Sequence, residues 1–408
     1  MQIGSSAVLP AAGYLEPGTE LQIPNSLVGY SYPDALIPDG EVIYSPLARD
    51  LDLAGFVSGA GGYLANYTEI LDGQTLTGAE VVERVAVERS VNPRLLLALL
   101  EFRSSWVYGQ PANSGDVRHP IGFNVPGYSG LYDELSLTAT HLNIGYYNWR
   151  TGELNELRFK DGRTSRLSPF LNAGTVAVQN LFAKFYEKNG WEAVLYGPHS
   201  FAITYSEMFG SPWERASTVE PLLHPGVEQP VLELPFLPGE SWSFTGGPHR
   251  TLNLGSPLGA LDFSPVTGQN PCASSTAWVT APAGGVVTRT GDGVLVLDLD
   301  GDGFEGTGWV LFFLHISEDG RSPAGTIIGQ DDFLGHPSCE GGNATGTHVH
   351  IARKYNGEWI AADGPVPFNL GGWVVRQGGR SYEGSLVKDG EVIDANPGGS
   401  GSSIIVRD

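Results

Sequence analysis

The chain has no apolar run long enough to cross a bilayer. The longest, Leu95-Leu96-Leu97-Ala98-Leu99-Leu100 and Val310 to Leu314, fall far short of the ~20 residues required, so no membrane span is expected. It is also short of bases: 23 Lys and Arg stand against 45 Asp and Glu, a formal charge of −22. That balance excludes binding to a nucleic-acid backbone and simple attraction to anionic membranes or phosphate-rich polymers. Any hold on such a surface must come from shaped sites. Cysteine is nearly absent, with only Cys272 and Cys339, and neither has a second Cys nearby, which argues against a zinc-thiolate site. One disulfide formed in an oxidising compartment is the expected use of the pair, and two buried free thiols are the alternative. Met1-Gln2-Ile3-Gly4 opens without a basic start or an apolar signal region, so we expect a chain whose export signal has been removed.

What is present is enough for two globular domains. The 408 residues are 41% hydrophobic and include nine Trp, sufficient for a sizeable core in each half. Residues 1–50 are rich in Pro and Gly and read as a loop-rich lead-in. From 51 to 215 the pattern is helical. Thr77-Gly78-Ala79-Glu80 is a capping box and starts a helix reaching about Ser90; Asn92-Pro93 starts another over Arg94 to Trp106. Further helices are predicted over Gly130 to Trp149 and Asn172 to Lys188, with a hairpin between them at 151–168 around Lys160-Asp161-Gly162. Residues 216–240 hold five prolines and read as a stiff linker. Across 241–408, short β-branched and aromatic runs (Gly285 to Thr290, Val294 to Leu299, Trp309 to Ile316) predict an antiparallel sheet. The expected class is α+β, a helical domain followed by an antiparallel β domain.

Four of the nine histidines sit in the β-rich half in settings that suggest chemistry: His249, His315, His348 and His350. In Thr347-His348-Val349-His350-Ile351 the two imidazoles are two apart on a predicted strand and project from one face. His249 follows a Gly-rich turn, and Asp262 is a lone carboxylate in the apolar segment Leu261-Asp262-Phe263; such a charge needs a partner. Two imidazoles and a carboxylate are a standard catalytic zinc set, with the fourth position left to water. No His-Glu-x-x-His helix motif is present to supply a general-base Glu, so a His that faces the metal without binding it, His348 or His315, takes that role.

The combination of His249, Asp262 thirteen residues later, an isolated His315 after an aromatic strand, and Cys339-Glu340-Gly341-Gly342 leading to Thr345-Gly346-Thr347-His348-Val349-His350 resembles the lysostaphin-type (LytM) zinc metallopeptidase superfamily, and within it the beta-lytic and staphylolytic branch. The resemblance covers roughly 242–375. It implies His249, Asp262 and His350 as zinc ligands, His315 and His348 as catalytic histidines, peptidoglycan as substrate, and an exported or cell-envelope enzyme, expected to be a monomer. A non-catalytic wall-binding or activator protein and a general protease for Gly-rich proteins are the competing functions. Two departures stand out. The commoner branch places its first His four residues before the Asp, where this chain has Leu258, and Phe313 occupies a position where many relatives carry a Tyr.

Three further stretches bear weaker resemblances. Residues 17–24, Pro-Gly-Thr-Glu-Leu-Gln-Ile-Pro, are similar to the closing strand of a LysM carbohydrate-binding module, against an ordinary linker as the plainer reading. Asn92 to Ser104, with Pro120 to Asn124 and Asn143 to Tyr147, resembles lysozyme-like lytic transglycosylases, but Arg103 occupies the place of the catalytic acid. An always-charged Arg cannot protonate a glycosidic oxygen, so the helical half is expected to be non-catalytic. Asp298-Leu299-Asp300-Gly301-Asp302-Gly303 is similar to the opening of a calcium loop, but Trp309 stands at its twelfth position in place of the closing Glu. A tight turn is the plainer reading.

Overall fold

The Thr77 hydroxyl accepts the Glu80 N–H at 3.3 Å and the Glu80 carboxylate accepts the Thr77 N–H at 2.7 Å, closing the capping box that starts the helix Gly78–Arg89. This is a computed structural model, and it describes residues 34–252, 254–266, 271–273 and 275–408. The LysM-like stretch at 17–24 lies outside them. The chain divides into two units, Met1–His224 and Pro225–Asp408. Among the described residues no helix is long and apolar enough to cross a membrane.

In the first unit, Asn92 caps Pro93–Ser104 through the Arg94 N–H, with Pro93 in the first turn. Leu95 to Leu100 are buried on every side, as befits a helix at the centre of its domain. Leu131–Arg150 packs along Ala173–Phe185. At their closest approach a Cβ on Gly145 would lie 2.7 Å from the Ala177 Cα, so the crossing depends on glycine. The expected helix to Lys188 stops three residues early. Tyr186 turns extended, with its ring stacked on Phe182 at 5.9 Å, and a separate helix, Lys188–Tyr196, follows. Phe201–Phe209 and Pro212–Ala216 are additional helices that the sequence reading missed. The hairpin pairs Glu156–Arg158 with Thr164–Arg166.

The second unit is built on an antiparallel sheet. Its spatial order is Ile327–Ile328, Gly285–Gly291, Val294–Asp298, Trp309–Leu314, Val349–Tyr355, Leu258–Pro265, Ser241–Arg250 and Ile404–Val406. A four-stranded sheet of Asn369–Leu370, Trp373–Gln377, Gly384–Lys388 and Glu391–Asp394 adds to the same core, in which Phe244, Phe263, Leu311, Phe313, Ile351 and Val375 are buried. The linker needs correcting here. Leu232, Leu234 and Phe236 are buried in this core, the Glu233 N–H donates to the Pro282 carbonyl, and Phe236 stacks on Trp242 at 5.1 Å. Residues from Gln229 to Glu240 are therefore part of the β unit. Their alternating apolar residues form a strand-like pattern that the neighbouring prolines hide.

Candidate metal centre

Sheet pairing sets the site. His350 pairs directly with Asp262, and Asp262 pairs on its other side with Gly246. Two steps along the partner strand His249 faces Ala260, so three residues oppose two, and the register shifts between Gly246 and His249. Such a bulge re-aims a side chain; here it brings His249 onto the face of Asp262 despite the thirteen-residue interval. His249 Nε2 lies 3.0 Å from His350 Nδ1, and Asp262 Oδ1 lies 3.3 Å from each of them. All three side chains are buried. His348 Nε2 is 3.8 Å from Asp262 Oδ1, and the His315 ring is 4.4 Å from that of His348.

Main-chain carbonyls fix every imidazole. His249 Nδ1 contacts the Gly247 carbonyl at 2.9 Å, His350 Nε2 that of Thr251 at 2.8 Å, His348 Nδ1 that of Gly346 at 2.7 Å and His315 Nδ1 that of Glu340 at 2.7 Å. A carbonyl only accepts, so each of those nitrogens carries the hydrogen in the neutral ring, and the other nitrogen presents a lone pair. His249 Nε2 and His350 Nδ1 therefore turn lone pairs toward each other and toward Asp262 Oδ1, a buried oxygen with no hydrogen-bond donor. Convergent lone pairs and a carboxylate call for a positive charge between them. The donor set fits a cation of borderline softness such as zinc. Burial raises Asp262, but when His249 is protonated its charge and hydrogen bond, with the contact of His350, outweigh burial and hold the carboxyl well below the usual range. His249 is depressed by burial yet raised on balance by Asp262, whereas His350 is lowered chiefly by burial.

His315 follows its strand with φ +65, a left-handed backbone that is costly for a non-glycine residue. Its own carbonyl is gripped by the Ser338 N–H at 2.7 Å and the Ser338 hydroxyl at 3.0 Å. Burial, then His348, pushes its ring down to about 4, so it is neutral at physiological pH. The Glu340 that holds His315 adjoins Cys339, which is disulfide-bonded to Cys272.

Sequence reasoning missed Tyr382. It lies between Trp373–Gln377 and Gly384–Lys388, and its ring stacks on His249 with centroids 4.2 Å apart at 16°. The Gly247 N–H donates to the Tyr382 carbonyl and the Tyr382 N–H to that of Pro248, clamping this loop to the His249 strand. Burial and the Asp262 charge raise the phenol. Its contact depends on a hairpin more than 130 residues away, and no local pattern announces it. Phe313, in contrast, is buried in the core.

The other candidates have local roles. One ligand atom from each of Asp298, Asp300 and Asp302 can lie within 4.8 Å of the others. Asp298 is buried and accepts the Asp300 and Gly303 N–H groups at 3.2 and 2.8 Å; Asp302 accepts the Phe304 N–H and the Thr307 hydroxyl. These carboxylates thus cap a turn. In the helical unit, one oxygen of Glu101 accepts the Val107 and Tyr108 N–H groups. Arg103 donates to the Ile121 carbonyl at 2.8 Å and to the Tyr186 hydroxyl at 2.6 Å.

Residues 35–222 match the family model described as LasA, N-terminal domain. Protease LasA of Pseudomonas aeruginosa is 26% identical over 323 residues, covering 72% of this chain and 71% of that protein. Beta-lytic metalloendopeptidase of Lysobacter enzymogenes is 27% identical over 155 residues, covering 38% of this chain and 83% of that protein. These relatives support the resemblance to the lysostaphin-type (LytM) metallopeptidases and their beta-lytic branch. Among solved structures, the M23 metalloprotease pseudoalterin from the deep sea is 24% identical, with a TM-score of 0.34 over 41% of this chain and 96% of that one. Metalloendopeptidase relatives imply a metal cofactor, and His249, Asp262 and His350 form a buried cluster that could hold one.

Proposed function

We propose that this protein is an exported, zinc-dependent endopeptidase that hydrolyses peptide bonds of bacterial peptidoglycan, Gly-containing or cross-bridge bonds in particular. The observation that carries the reading is Asp262 Oδ1, buried without a donor between the lone pairs of His249 Nε2 and His350 Nδ1. Those three atoms would hold the zinc. When bound, zinc supplies a Lewis acid that acidifies a water and polarises the scissile carbonyl. His348, with Nε2 free and aimed at the cluster, takes the water's proton as the oxygen attacks the carbonyl carbon. His315, kept neutral by burial with its hydrogen on Nδ1, faces His348 and presents an Nε2 lone pair that accepts a hydrogen of the attacking water and orients it beside His348. As the C–N bond breaks, the proton passes to the leaving amine. Tyr382, over the outer face of His249, offers a hydroxyl donor where Phe313 offers none.

We read the helical unit as lysozyme-like and non-catalytic. Arg103 stands where an acid would be needed, and Glu101 is engaged by two backbone N–H groups. The disulfide suits an oxidising, extracellular or envelope setting. Peptidoglycan as the substrate class rests on the superfamily resemblance. A non-catalytic wall binder is disfavoured because all five site residues are present. The test is metal analysis with a cell-wall turbidity assay and mass spectrometry of the released muropeptides. Wild-type protein should carry one zinc and release peptides cut at a defined bond. Full lytic activity in His350→Ala would overturn the zinc reading, and cleavage of Gly-rich proteins without release of muropeptides would favour the general protease.

A further inference from the structure

A chain of charge −22 has no electrostatic hold on an anionic wall, yet a wall hydrolase must keep a polymer in register with its reacting groups. Beside the candidate active site lies a surface suited to this. The Trp278 ring stacks with Phe333 at 4.5 Å and 17° and meets His336 at 3.8 Å and 38°. Phe333 is 45% exposed, and Trp278 and His336 are partly so. Contiguous apolar rings held at a surface are candidate interaction sites. The backbone holds them in place: Phe333 pairs with Thr280, the Ser322 hydroxyl donates to the Phe333 carbonyl at 2.8 Å, and His336 Nδ1 donates to the Ala277 carbonyl at 2.7 Å.

Two further features narrow the ligand. Gly320 has φ +73 and approaches so closely that a Cβ would lie 3.2 Å from the Trp278 ring and 3.3 Å from His336. The exposed carboxylates of Glu318 and Asp319 precede it in the same turn. Aromatic faces rimmed by acceptors match a neutral pyranose ring, whose C–H groups pack on an aromatic face and whose hydroxyls donate outward. A bare anion would be repelled by these carboxylates. The position also fits. The Ser317 N–H donates to the His336 carbonyl at 2.8 Å and the Ser338 N–H to the His315 carbonyl at 2.7 Å. The rings therefore sit about two residues, or ~7 Å, along this ladder from His315, a span that a few extended peptide residues bridge.

We propose that Phe333, Trp278 and His336 form a subsite for a sugar ring of the glycan strand that carries the scissile peptide. The subsite rests on the peptidoglycan reading above. The test compares full-length wild type, Phe333→Ala and Phe333→Trp on two substrates with the same scissile bond, intact sacculi and a short synthetic peptide. Phe333→Ala should raise KM for sacculi about three- to tenfold, the size expected for losing one aromatic contact, with kcat and kcat/KM on the peptide unchanged, and Phe333→Trp should restore the wild-type value. Chitooligosaccharides, which lack peptide, should quench tryptophan fluorescence in the wild type and less in Phe333→Ala. Equal losses on both substrates, or no change on sacculi, would overturn the subsite while leaving the peptidoglycan reading intact. A wild type that cuts the peptide but not sacculi would overturn that reading, and the subsite with it.

Discussion

Gly246→Ala tests the metal centre with one methyl group. An ideal Cβ at this position lies 2.4 Å from Asp262 Oδ2, 2.8 Å from its Cγ and 2.9 Å from its Cβ. Gly246 does not have a left-handed φ, so the substitution adds no backbone strain and acts only through contact with the carboxylate. Restoring ordinary carbon–oxygen separation requires the Asp262 side chain to shift by about 1 Å. It has little room to do so, because it is buried in the interior of the sheet between the His249 and His350 strands. A displacement of that size at a reacting centre costs about a hundredfold in kcat/KM, or ~2.7 kcal/mol of transition-state stabilisation. Metal affinity should fall about ten- to a hundredfold, as when a ligand's support is lost. The assay is metal content after dialysis against a weak chelator, with kcat/KM on a short peptide and far-UV circular dichroism as a folding check. Gly247→Ala is the control, because its Cβ would meet the backbone of Glu383 and Gly384 at 2.7–2.8 Å and disturb the Tyr382 loop instead of the ligand. It should keep its metal and lose turnover. A Gly246→Ala protein with wild-type metal affinity and kcat/KM within about twofold of wild type would refute the placement of Asp262 as a ligand.

Other expectations separate the remaining roles. His315→Ala should retain metal and lose about 10²–10⁴ in kcat, the usual share of a positioned acid–base group, whereas His350→Ala should lose the metal itself; the two are told apart by elemental analysis, and metal loss in His315→Ala would contradict its assignment. Cys272→Ser opens a loop with a sequence separation of 67 and should destabilise the β unit by about 4 kcal/mol on the chain-entropy account; because Cys339 adjoins the Glu340 carbonyl that holds His315, residual folded protein should also show reduced kcat, measurable below its lowered Tm. Glu220 is raised to about 7, mainly by burial, against the Gly40 N–H that lowers it. A carboxyl whose folded pKa lies above its unfolded value contributes stability that is fully present below about 4.5 and is lost as pH rises through about 7. Discounted for partial exposure, this is about 1–2 kcal/mol, so Tm should fall by a few degrees between pH 5 and 8, and Glu220→Gln should flatten that slope. A slope unchanged in the variant would refute the assignment.

Much of this was legible in the sequence because the signals were local. The Thr77 to Glu80 capping box and the Asn92-Pro93 start are each complete within four residues, and both helices begin where those residues require. His348 and His350 sit two apart on a strand, so their shared face follows from the pleat. The missed features depend on distant partners. Tyr186 ends its helix in a position where its ring stacks on Phe182 and its hydroxyl accepts from Arg103, 83 residues away, and nothing in Asn172 to Lys188 encodes that stop. Leu232, Leu234 and Phe236 were passed over because prolines around them read as linker, although a short alternating run flanked by proline can equally form the edge of a core. Tyr382 reaches His249 only after two sheets have packed together.

The bulge beside Gly246 explains why the unusual spacing works. In a regular ladder two residues oppose two, and side-chain direction alternates with period two. With Gly246 opposite Asp262, an unbulged partner of Ala260 would be Pro248, which offers no ligand; the extra residue places His249 there instead. The insertion has a cost that glycine reduces, since Gly246 admits the Asp262 carboxylate and Gly247 admits the Glu383 backbone, each in space that a Cβ would fill. The same carbonyl of Gly247 then fixes the His249 tautomer. The Gly-Gly pair ahead of His249 thus performs three tasks: it permits the bulge, makes room for the acidic ligand and orients the basic one. The thirteen-residue interval between His249 and Asp262 is therefore tied to the two glycines that precede His249.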